Sequence, residues 1–333
     1  MTHLTYLEAA VVGLVQGVSE MFPVSSLGHS VLIPAIVGGA WARDLNVAAP
    51  ESPYLAFIVG LHVATAIALI IYFWRDWVRI TGGFFSSLRD RGVHTADQKL
   101  AWMIILATIP VGIAGLAFEH TFRVIFGKPV LAGIFLAING VVLLAGERYR
   151  TRASRAADAA VAATREPGEA ATQEPGELAA AGPPPAGART VRQREEAGAV
   201  AADLRLASMS YPHAVAIGAA QILALLAGIS RDGVTMVAGM ASGLSREDAA
   251  RFAFLLATPV ILAAGVLKIP DLLGPLGAGI HGQILLGSVL SGGGAYLSVR
   301  FLLRYLRTRT LTPFGIYCLI AGLASITYLG LVK

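Results

Sequence analysis

The stretch SEMFPVSSLGH, residues 19–29, interrupts an apolar segment that extends from residue 5 to residue 40. A second apolar segment, 212–243, is interrupted in the same way by AGISRDGVT at 227–235. A non-helical backbone at membrane depth requires protein or a water-filled cavity to satisfy its polar groups. We therefore predict that 5–40 and 212–243 are re-entrant helix pairs whose breaks face each other.

The composition of the whole chain supports a location in the lipid bilayer. Of its 333 residues, 55% are hydrophobic and 14% are charged, and the mean hydropathy is +0.66. A helix crosses a bilayer with about 20 apolar residues. Six segments approach this length: 54–74, 101–118, 130–146, 249–268, 283–303 and 313–331. We predict an all-α polytopic membrane protein with about six transmembrane helices plus the two re-entrant helix pairs.

Lysine and arginine are unevenly distributed among the loops. The loops rich in them are 75–100, 147–211 and the stretch from Arg304 to Arg309. The loops with two or fewer are 41–53, 119–129 and 269–282. Because basic loops favour the cytoplasm, we predict that both termini lie outside. The first re-entrant pair then enters the membrane from outside and the second enters from the cytoplasm.

Residues 150–203 differ in composition from the rest of the chain. They mix alanine, arginine and glutamate with two EPGE repeats and the stretch GPPPAG. With few aromatic or branched apolar residues, such a segment cannot bury enough surface to offset chain entropy. We predict a disordered cytoplasmic insertion between two halves of a membrane domain, 1–149 and 204–333. A binding or regulatory role stays an alternative to an inert linker.

The two breaks are weakly similar in sequence. When Gln16 is aligned with Gln221 without gaps, Ser25 falls on Ser230, an offset of 205, and a glycine follows three residues later in both. Together with opposite entry into the membrane, this match indicates an inverted-topology repeat, whose ligand site lies near the repeat interface. Chance similarity in a chain rich in glycine and alanine is the alternative.

Other features exclude several kinds of site and partner. Cys318 is the one cysteine, which excludes a disulfide framework and a cysteine-based zinc or iron–sulfur site. The formal net charge is +5, but the basic residues lie between apolar segments and form no basic face interleaved with aromatic residues. We expect no nucleic-acid partner and no organic cofactor.

Polar side chains near the first break are candidates for chemistry. Gln16 and Glu20 lie four residues apart on one helix face, where their oxygens could hold a divalent cation or orient water. Ser25 and Ser26 begin the second helix, whose N-terminal N–H groups receive anions, and His29 follows and can exchange a proton. The structural alternatives are an ion-paired carboxylate, a serine cap and a packing histidine.

Arg231 is the central residue of the second break. Its guanidinium matches phosphate oxygens in a bidentate way and stays charged when buried. Ser230 precedes it, and Thr235 follows four residues later on the same side of the predicted helix. A structural ion pair of Arg231 with Asp232 or Glu20 is the alternative interpretation.

Together these residues favour a phosphate-bearing substrate with a lipid tail. Charged and strongly polar groups are costly in a membrane and usually face a cavity, a partner or a substrate. A buried cation, a helix N-terminus, hydroxyls, an imidazole and a carboxylate supply the positioning and charge stabilisation that phosphoryl transfer requires. His62, within the predicted span 54–74, fits a site residue and a helix-packing residue equally well.

Both breaks resemble the signature motifs of a known family, the undecaprenyl pyrophosphate phosphatases linked to bacitracin resistance. QGVSEMFPVSSLGH, residues 16–29, is similar to its first motif, Glu or Gln followed four residues later by Glu and then by Pro-Val-Ser-Ser-x-Gly-His. GISRDGVT, residues 228–235, is similar to its second motif, Pro-Gly-x-Ser-Arg-Ser-x-x-Thr. Further similar stretches cover nearly the whole chain except 150–203.

The resemblance implies a multi-pass enzyme of the bacterial cell membrane that hydrolyses a polyprenyl pyrophosphate lipid, undecaprenyl pyrophosphate, to undecaprenyl phosphate and inorganic phosphate. This reaction regenerates the carrier lipid of peptidoglycan synthesis and confers bacitracin resistance, from a site open to the outer face. Carried over by position, Glu20 with Gln16 holds a divalent metal, Mg²⁺ or Ca²⁺, or substitutes for it, and activates the nucleophile. Ser26 is the candidate nucleophile, with Ser25 as a substrate contact, and His29 is the acid or base.

The resemblance also implies that Arg231, Ser230 and Thr235 clamp the pyrophosphate. The second motif departs from the family pattern at two positions, where Ala227 replaces Pro and Asp232 replaces Ser. A carboxylate beside the clamp repels pyrophosphate unless it is protonated, turned away or bridged by Mg²⁺ or Ca²⁺. An altered substrate or a weak activity therefore stays an alternative.

A transporter or flippase for a phosphorylated lipid or anion is the alternative function on the same scaffold. In that case the serines and His29 bind rather than react. A purely structural membrane protein would leave two polar breaks without a role. The sequence leaves open whether Ser26 is phosphorylated or water attacks directly. It also leaves open the oligomeric state, of which a homodimer is one alternative.

Overall fold

The computed structural model describes residues 4–45, 53–126, 128–164, 191–274 and 279–331. Within these ranges all regular secondary structure is helical. The α-helices are α1 (Tyr6–Met21), α2 (Ser26–Val37), α3 (Gly39–Asp44), α4 (Pro53–Tyr72), α5 (Trp74–Asp90), α6 (Ala96–Phe126), α7 (Pro129–Thr164), α8 (Val191–Ser208), α9 (Tyr211–Ala220), α10 (Arg231–Ala241), α11 (Arg246–Leu273), α12 (His281–Tyr305) and α13 (Thr312–Leu331). A short 3₁₀-helix, Gln221–Leu225, follows α9.

Five helices are long and apolar enough to cross a membrane: α6, α7, α11, α12 and α13. The helices α4 and α5 meet the same criterion only as a pair, and a bend of 84° separates them at Phe73. The predicted span 54–74 therefore corresponds to α4, and the basic loop after it begins as a helix nearly perpendicular to α4. These helices confirm the predicted all-α polytopic class.

Both predicted breaks are present in the fold. Residues 22–25 separate α1 from α2, and residues 226–230 separate the 3₁₀-helix from α10. Each second helix begins with a serine that accepts a hydrogen bond from the N–H of the glycine three residues later, Ser25 at 3.2 Å and Ser230 at 3.1 Å. The same cap at an offset of 205 residues supports the internal repeat.

Helix directions confirm that the repeat is inverted. Helices α1, α2, α4, α6 and α7 of the first half correspond in order to α9–α13 of the second. The equivalent helices α4 and α11 run antiparallel, because Val63 faces Gly265 while Phe73 faces Phe254. The helices α7 and α13 are antiparallel in the same way. Helix α1 packs parallel to α12, and its counterpart α9 packs parallel to α6.

Small residues allow α1 and α12 to approach closely. Gly13 lies against Gly287, and Gly17 lies against Ser291, so that a Cβ at either α1 glycine would collide with the backbone of α12. Such small residues, four apart on both helices, are typical of contacts between transmembrane helices. This contact fixes the end of α1 that carries Glu20.

The segment 150–203 is helical at both ends. Helix α7 continues to Thr164 and α8 begins at Val191, whereas 165–190 lie outside the described residues. The prediction of disorder is therefore wrong for the two ends of this segment. Alanine, arginine and glutamate are strong helix formers, and composition alone does not distinguish such helices from disorder.

Ion pairs hold α8 against the membrane domain. Asp203 accepts hydrogen bonds from Arg251 of α11 at 2.9 and 3.0 Å and from Arg79 of α5. Arg205 donates to both oxygens of Asp248 at 2.7 and 2.8 Å. Removing one partner of a buried pair is costly, because the other charge is left uncompensated. The second half of the protein therefore begins as a firmly attached helix.

Candidate active site

The residues predicted from the two breaks converge on Glu20. Gln16 and Glu20 lie in the last turns of α1, Ser26 is the first residue of α2, and Arg231 is the first residue of α10. His62 lies near the middle of α4. Because Arg231 belongs to the second half and the other four residues belong to the first, the site forms only where the two halves meet.

Glu20 is buried, with 6% of its side chain exposed, and both of its carboxylate oxygens have partners. Oε2 accepts hydrogen bonds from Gln16 Nε2 at 2.9 Å and from Ser26 Oγ. Oε1 accepts a hydrogen bond from Arg231 Nη2 at 2.6 Å. A carboxylate at such a depth requires these donors. Glu20 therefore connects a hydroxyl of one half to the guanidinium of the other.

His62 belongs to the same cluster. Its Nδ1 lies 2.9 Å from the carbonyl oxygen of Ile58, and because this oxygen can only accept, Nδ1 carries the proton. Nε2 then accepts a hydrogen bond from the Gln16 amide at 3.2 Å and lies 3.5 Å from Glu20 Oε2. The structure thus brings His62 into contact with two of the other candidate residues, Gln16 and Glu20.

A second carboxylate lies beside Arg231. Asp232 is buried, and its Oδ1 is 3.5 Å from Arg231 Nε. The hydroxyls predicted to assist Arg231 bond elsewhere. Thr235 Oγ1 donates to the carbonyl oxygen of Arg231 at 2.7 Å, and Ser230 Oγ caps α10. Both hydroxyls therefore bond to backbone groups in the first turns of the helix that presents the guanidinium.

His29 lies outside the hydrogen-bond network of Glu20. Its Nδ1 is 2.7 Å from the carbonyl oxygen of Ser25, and its Nε2 is 2.7 Å from the hydroxyl of Tyr317 on α13. The His29 and Tyr317 rings are stacked, with centroids 5.8 Å apart. His29 follows Ser26 by three residues on α2, so it lies one turn away from the cluster.

Asn139 joins the two breaks, and sequence reasoning missed it. Its Nδ2 donates to the carbonyl oxygen of Pro23 at 2.9 Å, and its Oδ1 accepts from the N–H of Ser230 at 3.0 Å. Asn139 is completely buried. One side chain of α7 thus satisfies backbone groups of both breaks, as membrane depth requires. The signal in the sequence was an asparagine within the predicted span 130–146.

The two breaks are in direct contact, as predicted. A Cβ on Gly28 would lie 2.9 Å from the Cα of Gly228, so only glycine fits at Gly28 without a shift of the backbone. Ser25 has a φ of 68°, which non-glycine residues rarely adopt. Strained backbone of this kind is often found at functional sites.

Two buried oxygens of the site lack a hydrogen-bond partner, Gln16 Oε1 and Asp232 Oδ2. With the Glu20 carboxylate they are oxygens of the kind that Mg²⁺ and Ca²⁺ bind. Across the described ranges, no group of three or more His, Cys, Asp or Glu residues has the arrangement of a metal site. A cation here would therefore depend on the amide oxygen and on oxygens of the substrate.

Comparison with known families identifies the chain. The family model described as Bacitracin resistance protein BacA matches residues 9–167 and 187–324. The chain belongs to this family. The matched residues include Gln16, Glu20, Ser26, His62 and Arg231, so the family spans both halves of the site.

Relatives of this family are similar to the chain over nearly its whole length. The undecaprenyl-diphosphatase of Mycolicibacterium paratuberculosis is 58% identical over 329 residues, which cover 99% of both chains. The undecaprenyl-diphosphatase 2 of Frankia alni is 53% identical over 335 residues, 97% of both chains. The undecaprenyl-diphosphatase 2 of Burkholderia lata is 39% identical over 316 residues, 93% of this chain and 91% of the relative. The resemblance read from the two motifs is thus confirmed.

Proposed function

We propose that this protein is an integral membrane phosphatase that hydrolyses undecaprenyl pyrophosphate to undecaprenyl phosphate and inorganic phosphate. The observation that carries the proposal is the Glu20 carboxylate, which bonds to Ser26 on one side and to Arg231 on the other. A hydroxyl, a base and a phosphate-binding cation in one network are the groups that phosphoryl transfer requires. The name of a relative that is 58% identical supports the same substrate.

Arg231 is the proposed clamp for the pyrophosphate. A guanidinium has five N–H donors in a fixed fork, so Arg231 can hold a phosphate while it keeps its bond to Glu20. The N-termini of α2 and α10 lie at the two breaks, where helix dipoles favour an anion. Ser25, Ser230 and Thr235 contribute by fixing these helix starts.

Ser26 is the proposed nucleophile. Glu20 Oε2 takes the hydroxyl proton while Ser26 Oγ attacks the terminal phosphorus, and the bond from this phosphorus to the bridging oxygen breaks. Undecaprenyl phosphate leaves with that oxygen, and water then hydrolyses the phosphoserine to release inorganic phosphate. Direct attack by water would use the same base. His29, oriented by Tyr317, is the proposed acid or base for a later proton transfer.

A divalent metal, Mg²⁺ or Ca²⁺, is part of the proposal. Glu20, Gln16 Oε1 and Asp232 Oδ2 would hold it. The ion would neutralise charge on the pyrophosphate, and it gives Asp232 a role beside the clamp. The buried oxygens without hydrogen-bond partners support this assignment.

The cellular role follows from the proposed reaction. Recovered undecaprenyl phosphate would serve again as carrier lipid in peptidoglycan synthesis, and its recovery would confer resistance to bacitracin. The distribution of basic loops supports a cell-membrane topology in which 150–203 is cytoplasmic, between the halves 1–149 and 204–333. In the proposed function the site opens to the outer face, as the resemblance implies. A homodimer stays a separate prediction, which light scattering of the purified protein tests.

The test of the proposed function is inorganic phosphate release from undecaprenyl pyrophosphate by purified protein in detergent. We expect Arg231→Ala to lower the rate by about 100-fold or more, the usual effect of removing a group that stabilises transition-state charge. Arg307→Ala is the matched control, because Arg307 is exposed and pairs with Glu247 at 2.9 Å. Equal rates in Arg231→Ala and wild type would contradict the proposed binding of pyrophosphate by Arg231.

Metal removal forms a second arm of the same assay. EDTA should lower the wild-type rate, and added Mg²⁺ or Ca²⁺ should restore it. An unchanged rate in EDTA would exclude a requirement for a divalent metal. It would not affect the proposed roles of Ser26, Glu20 and Arg231.

The alternative function is a transporter or flippase for a phosphorylated lipid or anion. The inverted repeat favours it, since many transporters are built in this way. Reconstituted vesicles distinguish the two functions. Movement of the lipid between leaflets without phosphate release would favour transport and contradict the phosphatase.

A further inference from the structure

Helix α5 runs nearly perpendicular to α4, the helix before it. It begins directly after α4, and the bend between the two helices is 84°. Because α4 is an apolar helix of 20 residues, about the length that crosses a bilayer, α5 extends along the plane in which α4 ends. It packs against α6 through one face, whose buried residues are Asp76, Ile80, Gly83 and Ser87.

The opposite face of α5 is apolar and exposed. Trp74, Val78, Phe85 and Leu88 are between 52% and 63% exposed. At 3.6 residues per turn they lie on the side of the helix away from the buried face. A surface helix in water shows the reverse pattern, with its apolar face toward the protein. The described part of the chain leaves this face open.

Arginines border the apolar face at both ends of α5. Arg75 lies over the Trp74 ring at 5.4 Å. Arg89, whose side chain is 83% exposed, and Arg91 lie at the other end, and Asp90 is the acidic residue among them, 3.3 Å from Arg89. Aromatic rings and arginines are both enriched where a protein meets the membrane–water interface.

We propose that α5 is an interfacial helix whose apolar face lies at the boundary of the acyl chains and whose arginines bind the headgroups of anionic phospholipids. Helices of this kind insert about 5–10 Å into the headgroup region. Arg89 and Arg91, which are both exposed and flank Asp90, favour an anionic headgroup over a zwitterionic one. A second copy of the chain fits less well, because a two-fold contact through this face would bring like charges together. The proposal does not depend on the enzymatic function.

Spin-label accessibility tests the position of the apolar face. The protein would carry Cys318→Ala, to remove the one native cysteine, and Phe85→Cys for the label. Ile113→Cys, on an exposed face of the span α6, is the deep control, and Thr308→Cys, in an exposed turn, is the aqueous control. All three would be measured in vesicles of phosphatidylglycerol and phosphatidylcholine with oxygen and with a water-soluble nickel chelate.

We expect the Phe85 label to be more accessible to oxygen, and less accessible to the nickel chelate, than the Thr308 label. We also expect it to lie less deep in the bilayer than the Ile113 label. Accessibilities equal to those of Thr308 would place the face in water and overturn the proposal. Shielding from both reagents together with a dimer mass in light scattering would assign the face to a second copy. If the Cys318→Ala background fails to fold, the depth of Trp74 can be measured without a label. Brominated lipids quench tryptophan fluorescence, and the difference in quenching between wild type and Trp74→Phe gives the contribution of Trp74.

Lipid binding in native mass spectrometry tests the arginines. We expect wild type to retain phosphatidylglycerol more tightly than phosphatidylcholine. Substitution of Arg75, Arg89 and Arg91 by glutamine should weaken phosphatidylglycerol binding about fivefold for each arginine, with no change for phosphatidylcholine. Equal binding of the two lipids by wild type, or unchanged phosphatidylglycerol binding by the triple variant, would overturn the headgroup assignment.

Discussion

At the residue scale, the Glu20 carboxylate makes both of the contacts that the sequence presented as alternatives. An ion pair with Arg231 was the structural interpretation, and activation of a nucleophile was the functional one. The structure shows that separate oxygens serve each contact, Oε1 for Arg231 and Oε2 for Ser26. The ion pair therefore keeps the carboxylate charged and oriented while the other oxygen remains bonded to the hydroxyl.

Asn139 should act as a positioning residue. Asn139→Asp keeps the acceptor for the Ser230 N–H but replaces the donor to the Pro23 carbonyl with a second acceptor. A displacement of about 1 Å between reacting groups can cost 100-fold in rate, so we expect kcat to fall about 100-fold. Loss of a buried hydrogen bond should also cost about 1–3 kcal/mol of stability.

The control for Asn139→Asp is Ser325→Ala, because Ser325 is also buried in a span but bonds to its own helix at Ala321. It should keep wild-type kinetics. Kinetic constants and thermal unfolding of both variants check this prediction. Loss of stability in Asn139→Asp with an unchanged kcat would show a purely structural role.

Asp232 should affect the metal dependence of the reaction. Asp232→Asn keeps an oxygen at this position but removes its negative charge, and ligand charge strongly determines affinity for Mg²⁺ and Ca²⁺. We expect the Mg²⁺ concentration that gives half-maximal phosphate release to rise about tenfold. The same half-maximal concentration in wild type and variant would exclude Asp232 as a ligand.

The sequence was sufficient to identify most of the candidate site residues, but not to predict which groups they contact. Glu20, Ser26 and Arg231 were found because charged groups and short motifs stand out in apolar segments. Asn139 was missed because its partners are backbone groups distant in sequence. His29 was expected with the reacting groups, but α2 turns its ring toward Tyr317.

At the scale of elements, close contact between α1 and α12 positions the site. Gly17→Ala should shift these helices apart, because the added Cβ meets the Ser291 carbonyl. Overpacking of this kind typically costs about 1–3 kcal/mol, and we expect a lower midpoint of thermal unfolding together with a reduced rate. Gly112→Ala is the control, since it adds a Cβ in open space on α6. Equal midpoints for the two variants would contradict a tight α1–α12 contact.

The spans were predictable as elements, and α5 was not. Apolar runs near 20 residues define a span by composition alone. Residues 75–100 were treated as a basic loop because they contain four arginines and one lysine, although apolar residues at helical spacing lie among them. The 84° bend at Phe73 is not marked by a proline or a glycine in the sequence.

At the scale of the whole molecule, the fold is an inverted repeat with a segment inserted between its halves. The family model matches on both sides of 168–186 and leaves these residues unmatched. Replacing 168–186 by a short glycine–serine linker should therefore leave phosphate release within about twofold of wild type, since α7 and α8 retain their own contacts. A larger loss of activity in a monodisperse variant would assign a functional role to this segment.

The repeat could be predicted at this scale because two independent signals agreed. An offset of 205 residues aligned the breaks, and the distribution of basic loops gave them opposite entry into the membrane. The helical ends of 150–203 could not be predicted from composition. Asp203 and Arg205 attach α8 to the membrane domain through partners 43 or more residues away.

The central claim is that Glu20 activates the reacting hydroxyl in a phosphatase site shared by the two halves. The most direct test is the rate of inorganic phosphate release from undecaprenyl pyrophosphate by Glu20→Gln, beside Glu8→Gln. Glu8 is also buried in α1, but its hydrogen bonds go to Thr5. We predict that Glu20→Gln lowers the rate by about 100-fold or more and that Glu8→Gln keeps the wild-type rate. A wild-type rate in folded Glu20→Gln would contradict the claim.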